Sequence, residues 1–384
     1  MPYSKVIKEL PLRAQLLFLK RDLQKKMVFI GGPRQVGKTT LAQSFLENFI
    51  EGDPGYYNWD LSEHRKLIRE KNWPRSQKLI ILDEIHKNRQ WRNLVKGVYD
   101  TQKNTHQFMI TGSARLNTLR RGGDSLMGRY YYHRLHPFGL PDFKHDSKYL
   151  EPLFKFGGFP EPLLEQSEIE LGRWHLQRLD KLVYEDLRDI ENVKELNKIE
   201  LLAEALQERV GSPLSFTSLA EDLETNFHSI KRWIQILDSL YYCYLLPPYG
   251  APKIRAVKKE QKLYLWDWSQ VDELGHRFEN MVAGHLLRYC HHIQDTQGKK
   301  MELRYIRDTD KREIDFVVLQ NKKPLFAVEA KLSDRAISKH IKYFMDRTPI
   351  PHFYQVHMGK KESQINDQIT LLNFISFSKE VLNI

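Results

Sequence analysis

A chain of 384 residues is long enough for two or three domains, at roughly 150 residues per domain. Its 41% hydrophobic and 28% charged residues are typical of a globular protein, and its two cysteines, Cys243 and Cys290, lack metal-ligand spacing, which argues against a zinc site or a disulfide scaffold. The net charge of +11 favours an anionic partner, nucleic acid or a phosphate ligand, although a basic protein without such a partner has the same charge.

The N-terminal stretch is rich in Lys and Arg and lacks the uncharged apolar core of a signal peptide. Nowhere does the chain approach the roughly 18 consecutive apolar residues that a membrane-spanning helix needs. We therefore expect no membrane association, and the sparse cysteine content fits a cytoplasmic location.

From Met27 to about Leu140, short apolar strands alternate with helical segments. The predicted strands are "MVFI", "YYNWDL", "LIILDEI", "HQFMITGS" and "RYYYHRL". Such alternation predicts an α/β fold with a parallel sheet covered by helices.

The segment "GGPRQVGKTT" follows the first strand and precedes a helix, with Gly32, Gly37, Lys38 and Thr39 at the spacing of a phosphate loop. Its backbone N–H groups are expected to surround phosphate oxygens, with Lys38 at the β- and γ-phosphates and Thr39 on Mg²⁺. The alternative is a glycine-rich turn with a chance lysine. The predicted ATP-binding residues are Gly32, Pro33, Arg34, Gln35, Val36, Gly37, Lys38, Thr39 and Thr40.

The next strands end in polar residues. Asp83 closes one strand and suits a water-mediated Mg²⁺ contact, and the adjacent Glu84 suits activation of the attacking water. The alternative is a strand end with two solvated acids. Thr111 and Ser113 end the following strand, where a group sensing the γ-phosphate would lie, or else they form a simple turn.

A cation delivered to the γ-phosphate accelerates hydrolysis. The stretch after Ser113 offers several arginines, and Arg129, just before a strand, is the first candidate. The others are better explained as surface residues; they are Arg115, Arg120 and Arg121.

The stretches "GPRQVGKTT", "ILDEIHK", "ITGSARL" and "GRYYYHRLHPFGLPDF" resemble the prokaryotic AAA-type P-loop ATPases. The resemblance is closest to a group in which the ATPase precedes a C-terminal region of uncharacterised function, and "FGGFPEPLL" resembles the connector of that group. It implies ATP and Mg²⁺ as cofactors. It also implies a homo-oligomer, because such ATPases commonly take an arginine from a neighbouring subunit.

The middle of the chain predicts a helix-turn-helix followed by a wing strand, in "FTSLAEDLETNFHSIKRWIQILDSLYYCYLL". Its second helix carries Ile230, Ile234 and Leu237 on one face. The opposite face presents polar side chains able to reach phosphates or base edges: His228, Lys231, Arg232 and Gln235. A winged helix that contacts protein instead of DNA remains the alternative.

The segment "EIDFVVLQNKKPLFAVEAKL" predicts a hairpin that is apolar on both faces and charged at one end. If the turn centres on residues 321–323, residues whose numbers sum to about 644 face each other, so Asp315 faces Glu329 and Glu313 faces Lys331. Two facing carboxylates, roughly 5 Å apart at Cβ, repel each other without a cation between them. We expect a divalent metal on Asp315 and Glu329, with Lys331 orienting a metal-bound water.

This pattern, Asp-x(13)-Glu-x-Lys after a helix that carries Glu279, resembles the restriction-endonuclease-like, or PD-(D/E)xK, superfamily. Asp315, Glu329 and Lys331 match the acid, acid and lysine of that superfamily, and Glu279 matches its first-helix acid. Ile314 stands where many members have proline. The alternative is an inactive relic in which Glu313 pairs with Lys331.

We therefore expect three domains: an ATP-binding domain (1–170), a helical and winged-helix region (171–264) and a nuclease-like domain (265–384). The predicted function is ATP binding and hydrolysis by a protein acting on DNA, with a Mg²⁺-dependent nuclease as a further hypothesis. The alternative is a nucleotide-gated regulatory switch or interaction protein that does not cleave nucleic acid.

Overall fold

The structure, a computed structural model, describes residues 13, 15–46, 52–112, 126–186, 195–250 and 260–384. The candidate residues Ser113, Arg115, Arg120 and Arg121 lie outside this part of the chain. The chain divides into two compact units, Met1–His136 and Pro137–Ile384, and each is described by itself. Within the described ranges, no helix is both long enough and apolar enough to cross a membrane.

The first unit is built on a five-stranded parallel sheet with the strand order β2-β3-β4-β1-β5. Its strands are β1 (Met27–Gly31), β2 (Tyr56–Asn58), β3 (Leu79–Asp83), β4 (Gln107–Gly112) and β5 (Tyr130–Arg134). Its α-helices are α1 (Leu16–Leu23), α2 (Lys38–Gln43), α3 (Ser62–Glu70) and α4 (Trp91–Gln102).

All five predicted strands are present, so the α/β prediction is confirmed. Every residue of β1 and β3 is buried, as expected for strands of a parallel sheet that is covered on both faces. Phe29, Ile80 and Phe108 form a core with residues of α3 and α4, among them Ile68 and Val95. Because the strands are parallel, the carboxyl ends of β1, β3 and β4 lie at one edge of the sheet.

The second unit begins with helices and a two-stranded antiparallel sheet. The helices are α5 (Leu150–Phe156), α6 (Pro160–Glu165), α7 (Glu168–Asp180), α8 (Leu196–Gln207), α9 (Phe216–Asp222) and α10 (Phe227–Ser239), with a π-helical segment at Lys181–Asp186. The strands β6 (Cys243–Leu246) and β7 (Lys262–Leu265) pair antiparallel, and we call them the β6–β7 ribbon.

The unit ends with a mixed six-stranded sheet in the order β12-β13-β11-β10-β9-β8. Its strands are β8 (Met301–Arg307), β9 (Glu313–Gln320), β10 (Lys323–Lys331), β11 (Phe353–His357), β12 (Ser363–Asn366) and β13 (Ile369–Asn373). Its helices are α11 (Leu274–Gln297), α12 (Lys339–Met345) and α13 (Phe374–Glu380).

The hairpin of β9 and β10 lies inside this sheet, between β11 and β8, and Ile314 through Leu319 are buried without a break. Both faces of the hairpin are therefore covered, as its apolar sequence predicts. After β10, the next helix, α12, begins at Lys339, where Ser338 caps it by accepting a hydrogen bond from the His340 N–H.

Candidate functional site

The phosphate loop connects β1 to α2 and packs tightly against β5. A Cβ atom on Gly32 would lie 2.3 Å from the Leu135 carbonyl oxygen, and the φ of Gly32 is +151°. Gly37, with φ of 89°, precedes the first helical residue. Both glycines are therefore required by the backbone of the loop, independently of any ligand.

Lys38 lies inside its own loop and is 7% exposed. Its Nζ donates hydrogen bonds to the carbonyl oxygens of Gly32 (3.1 Å) and Pro33 (2.6 Å). Arg13, which sequence reasoning missed, donates to the carbonyl oxygen of Val36 at 2.7 Å. An N-terminal arginine thus anchors the loop, and no motif in the sequence marks it.

Asp83, which is 2% exposed, accepts hydrogen bonds from three hydroxyl groups at the carboxyl ends of the strands. Its Oδ2 accepts from the Thr39 hydroxyl at 2.8 Å and from the Tyr56 hydroxyl at 2.7 Å, and its Oδ1 accepts from the Thr111 hydroxyl. Thr39, Asp83 and Thr111 are brought together as the strand-end pattern predicts. Tyr56 was missed, because a tyrosine at the start of a strand carries no nucleotide-site signal.

The oxygens of Thr39 and Asp83 fit Mg²⁺, which prefers oxygen ligands and keeps several waters. Glu84 follows Asp83 in a left-handed conformation, with φ of 55°. Burial first, and then the charge of Asp83, raise the pKa of Glu84, whereas the charge of Lys38 lowers it. A carboxylate with a raised pKa is a better proton acceptor, so Glu84 is suited to activate water.

Arg129 lies at the amino-terminal ends of the strands, opposite the carboxyl ends where Thr39 and Asp83 meet. It precedes β5, its carbonyl oxygen accepts from the Met27 N–H at the start of β1, and its side chain forms a bidentate pair with Asp100 (2.7 and 3.1 Å). The phosphate loop follows Gly31, at the far end of β1, roughly 16 Å away at 3.3 Å per residue. Arg129 therefore does not contact the γ-phosphate of a nucleotide bound to its own subunit. Its predicted role as the cation at that phosphate is corrected accordingly.

The helices α9 and α10 have the faces that the sequence predicts. Ile230, Ile234 and Leu237 are buried, and Asn226 caps α10 by accepting from the Ser229 N–H at 2.9 Å. The polar face is exposed to solvent at His228, Lys231, Arg232 and Gln235. Exposed acids on and beside α9 reduce the positive charge of this surface; they are Glu221, Asp222 and Glu224.

The hairpin register is as predicted at the charged end, although its turn is not. Phe316 pairs with Val328, which gives the sum 644. The turn has two residues, Asn321 and Lys322, both left-handed (φ of 50° and 68°), as a type I′ turn requires, instead of the three predicted residues. A bulge between Pro324 and Phe326 restores the register.

The charged end forms a group of buried and half-buried carboxylates, Glu279, Glu313, Asp315 and Glu329, which we call the acid cluster. Asp315 Oδ2 accepts from the Ala330 N–H at 2.9 Å, and Glu329 Oε1 pairs with Lys331 Nζ at 2.8 Å. Glu313 pairs with Arg307 at 2.8 Å and with Lys262. The suggested Glu313–Lys331 pair is therefore wrong, because neighbouring cations from β7 and β8 take Glu313.

Lys262, from β7, is the residue that sequence reasoning missed in this cluster. It is 1% exposed, and its Nζ lies 3.1 Å from Glu279 Oε1 and 3.5 Å from Asp315 Oδ1, besides its contact with Glu313. Burial lowers the pKa of Lys262, but the three carboxylates outweigh it, and the net pKa is raised. The ammonium group remains charged.

Two members of the acid cluster have raised pKa values. Burial first, and then the charge of Asp315, raise the pKa of Glu279 to about 7 and that of Glu329 to about 8. Mutual repulsion is expected to raise the pKa of one of two facing acids, and Glu329 follows that expectation.

The acid cluster does not fit a divalent metal. Asp315 uses one oxygen for a backbone N–H and faces Lys262 with the other, while Glu329 keeps only Oε2 without a partner in the described part of the chain. The Lys262 ammonium group, 3.5 Å from Asp315 Oδ1, supplies the positive charge that a divalent ion would otherwise bring to this carboxylate. Across the described residues, no group of three or more His, Cys, Asp or Glu side chains is arranged to hold a metal ion.

Comparison with other proteins gives three family matches. A family described as "AAA domain" matches residues 24–144, and two domains of unknown function, DUF8612 and DUF4143, match residues 147–274 and 274–377. An uncharacterized protein from Haemophilus influenzae is 24% identical over 75% of this chain and 78% of its own length. Uncharacterized protein MJ1544 of Methanocaldococcus jannaschii is 23% identical over 97% of this chain and 93% of its own length.

Among solved structures, similarity is found to the Aeropyrum pernix ORC1 protein in complex with DNA (TM-score 0.31, 15% identity, 74% of this chain and 94% of that chain). It is also found to Thermotoga maritima RuvB (TM-score 0.31, 15% identity, 63% and 92%). The parallel sheet, the phosphate loop and the family match over residues 24–144 together identify the first unit as a P-loop ATPase domain of the AAA type.

Proposed function

We propose that this protein binds ATP with Mg²⁺ and hydrolyses it at the carboxyl edge of the first sheet. The observation that carries the proposal is the meeting of Thr39 from the phosphate loop with Asp83 from β3. A hydroxyl and a carboxylate at hydrogen-bond distance provide two oxygens for Mg²⁺ and its waters.

The roles of the surrounding groups follow from their chemistry. Lys38, now held by two loop carbonyls, exchanges these weak acceptors for phosphate oxygens when ATP binds. Glu84 accepts a proton from the attacking water, and Thr111 reports on the γ-phosphate through its bond to Asp83.

The test is a pair of substitutions on the full chain. Glu84→Gln should keep ATP affinity and lower turnover by roughly 10²–10⁴-fold, because the amide cannot accept the proton. Lys38→Ala should weaken ATP binding by roughly two orders of magnitude, because the phosphates lose their cation. Binding is measured by calorimetry and turnover by phosphate release.

Glu63 is an exposed residue on α3, so Glu63→Gln is the matched control and should behave as the wild type. Wild-type turnover by the Glu84→Gln protein would exclude the water-activating role.

The proposal extends to action on DNA. The net charge of +11 and the exposed basic side chains of α10, Lys231 and Arg232, support contact with phosphates through a winged-helix region. A contact with another protein through the same helix is the competing use of that surface.

A nucleotide-gated switch or interaction protein without nuclease activity is the second candidate. One observation favours it over a Mg²⁺-dependent nuclease, namely the position of Lys262 among the carboxylates that such a nuclease needs for metal. Incubation of labelled single- and double-stranded DNA with Mg²⁺ or Mn²⁺, with and without ATP, separates the two. Cleavage that Lys331→Ala abolishes would favour the nuclease.

A further inference from the structure

We propose that Lys262 takes the place of the divalent cation in the acid cluster, and that the cluster is a lock that fastens the β6–β7 ribbon to the six-stranded sheet. This inference concerns the second unit alone, so it stands or falls independently of ATP hydrolysis in the first.

The lock joins three elements that are distant in the chain. Lys262 belongs to β7, where it pairs with Leu246 of β6, and its acceptors come from α11 (Glu279) and from β9 (Glu313 and Asp315). One ammonium therefore holds two separate elements of the nuclease-like part against the ribbon. Removing it would leave one buried carboxylate, Asp315, and two half-buried ones, Glu279 and Glu313, without their common cation, which is unfavourable.

In the described part of the chain, the cluster is closely packed on the side of Glu279. Tyr264, also on β7, donates from its hydroxyl to Glu279 Oε1 at 2.7 Å. Gly211, with φ of +74°, lies so close that a Cβ there would be 3.1 Å from Glu279 Oε2. Asp315 and Glu329 are 7% and 3% exposed. Catalytic metal ions must contact both their ligands and the substrate, and the low exposure of Asp315 and Glu329 disfavours such a contact.

The lock makes a prediction that a nuclease centre does not make. If Lys262 supplies the positive charge, then its removal should create a need for a cation, and a divalent metal should satisfy it through the vacated carboxylates. A protein with Lys262 in place should be indifferent to divalent metal at this site.

The experiment is thermal unfolding of the full-length chain without nucleotide, with and without Mn²⁺. All proteins carry Asp83→Asn, which weakens metal binding at the ATP site. The variants are Lys262→Met, which keeps the volume and loses the charge, Lys262→Arg, which keeps the charge, and Lys300→Met. Lys300 is an exposed lysine beside Glu302 and serves as the matched control.

Lys262→Met should unfold at a lower temperature without metal and should recover roughly 5–10 °C at a Mn²⁺ concentration 100 times its Kd. The parent, Lys262→Arg and Lys300→Met should not respond to Mn²⁺. If Lys262→Met does not fold, Lys262→Met/Glu279→Gln removes a positive and a negative charge together, and it should still respond to Mn²⁺ through Glu313 and Asp315, with a smaller shift.

Any of three results would overturn the proposal. One is a Mn²⁺ response of the parent protein that Asp315→Asn abolishes, since Lys262 and the metal would then coexist. Another is a folded Lys262→Met or double variant that does not respond to Mn²⁺. Metal-dependent DNA cleavage by a protein that retains Lys262, abolished by Asp315→Asn, would equally exclude the lock.

Discussion

At the scale of single residues, Tyr56 is a member of the proposed nucleotide site that the sequence did not indicate, and the hydrogen bond from its hydroxyl to Asp83 can be tested. Burial first, and then the charge of Asp83, raise the pKa of the Tyr56 hydroxyl, so it stays protonated and donates to Asp83 Oδ2. The same oxygen accepts from Thr39. Tyr56 therefore fixes the orientation of the carboxylate that is proposed to hold Mg²⁺ waters.

Tyr56→Phe should raise the Mg²⁺ concentration for half-maximal ATPase activity about tenfold, because a hydrogen bond to a charged group contributes roughly 1.5 kcal/mol. The measurement is a Mg²⁺ titration of phosphate release at saturating ATP. Tyr57→Phe is the matched control, since the Tyr57 ring packs against His64 and Trp73. An unchanged Mg²⁺ requirement in Tyr56→Phe would show that Asp83 is positioned without it.

A second residue, His285, should make the stability of the second unit depend on pH. Its Nδ1 donates to the Met281 carbonyl oxygen and its Nε2 accepts from the Leu140 N–H, so the ring is neutral. Burial lowers the pKa of His285 to about 4, a hydrogen bond to Met281 opposes this, and the Arg288 charge adds to it. Asp142 and His145 also face this ring.

The unfolded chain binds a proton at His285 near pH 6.5, and the folded chain does so only near pH 4. Above about pH 6.5, His285 therefore does not lower the free energy of unfolding. As the pH drops from 6.5 toward 4, the free energy of unfolding decreases, by about 2 kcal/mol between pH 7 and pH 5. Calorimetry of wild type and His285→Gln should show this loss in the wild type and a flatter dependence in the variant. Parallel pH curves would assign the loss to other groups.

Residue positions could be predicted from the sequence where a motif has a fixed local geometry. Thr39 and Asp83 follow from a phosphate loop and a strand end, and both are where the pattern puts them. Lys262 could not be predicted, because it is 53 residues from Asp315 and only the tertiary fold brings the two together. The facing acids indicate a need for a cation, but nothing in the sequence indicates that a lysine supplies it.

At the scale of elements, the register of the β9–β10 hairpin was predicted correctly although the length of its turn was not. The apolar pattern with a period of two assigns faces to β9 and β10. The predicted turn is one residue too long, because Lys322 adopts a positive φ that glycine usually fills in a type I′ turn. The bulge after Pro324 compensates by one residue. The positive φ of Lys322 has no signal in its side chain, whereas Pro324 is a residue type that marks bulges in strands.

The use of helix α10 can be decided by salt dependence. Removing one phosphate-binding side chain should reduce the magnitude of the slope of log K against log salt by about one, so Lys231→Ala/Arg232→Ala should flatten it by up to about two. The measurement is fluorescence anisotropy of a labelled duplex over a range of salt concentrations. Lys360→Ala/Lys361→Ala, two lysines elsewhere on the chain, is the control. An unchanged slope in the α10 variant would assign this helix to protein contacts.

At the scale of the whole molecule, the α/β class of the first unit was predictable because parallel strands and their helices alternate with a short period. The expected domain boundaries at 170 and 264 remain predictions. The β6–β7 ribbon explains why a boundary at 264 is hard to read from sequence: β7 ends at Leu265, yet Lys262 and Tyr264 bond to Glu279 beyond that boundary. Hydrogen bonds between side chains on the two sides of a boundary do not change the amino-acid composition, so they cannot be predicted from it.

The last prediction is self-association in the ATP-bound state. Arg129 lies at the amino-terminal edge of the sheet and is paired with Asp100, so it does not reach the phosphates of its own subunit. An arginine from a second copy would supply that charge, and binding of ATP would then favour assembly by mass action. Sedimentation of Glu84→Gln with ATP should show a species larger than the 45.7 kDa monomer.

The Lys38→Ala protein, which is expected not to bind ATP tightly, should remain smaller under the same conditions and serves as the control. Because Glu84→Gln retains nucleotide, the assembled state should persist during the run instead of dissociating after hydrolysis. A wild-type protein that stays monomeric at micromolar concentration with a slowly hydrolysed ATP analogue, and that still has full ATPase activity, would show that no arginine is borrowed. The catalytic cation would then have to come from the same chain, with Arg34 in the phosphate loop as the first residue to test.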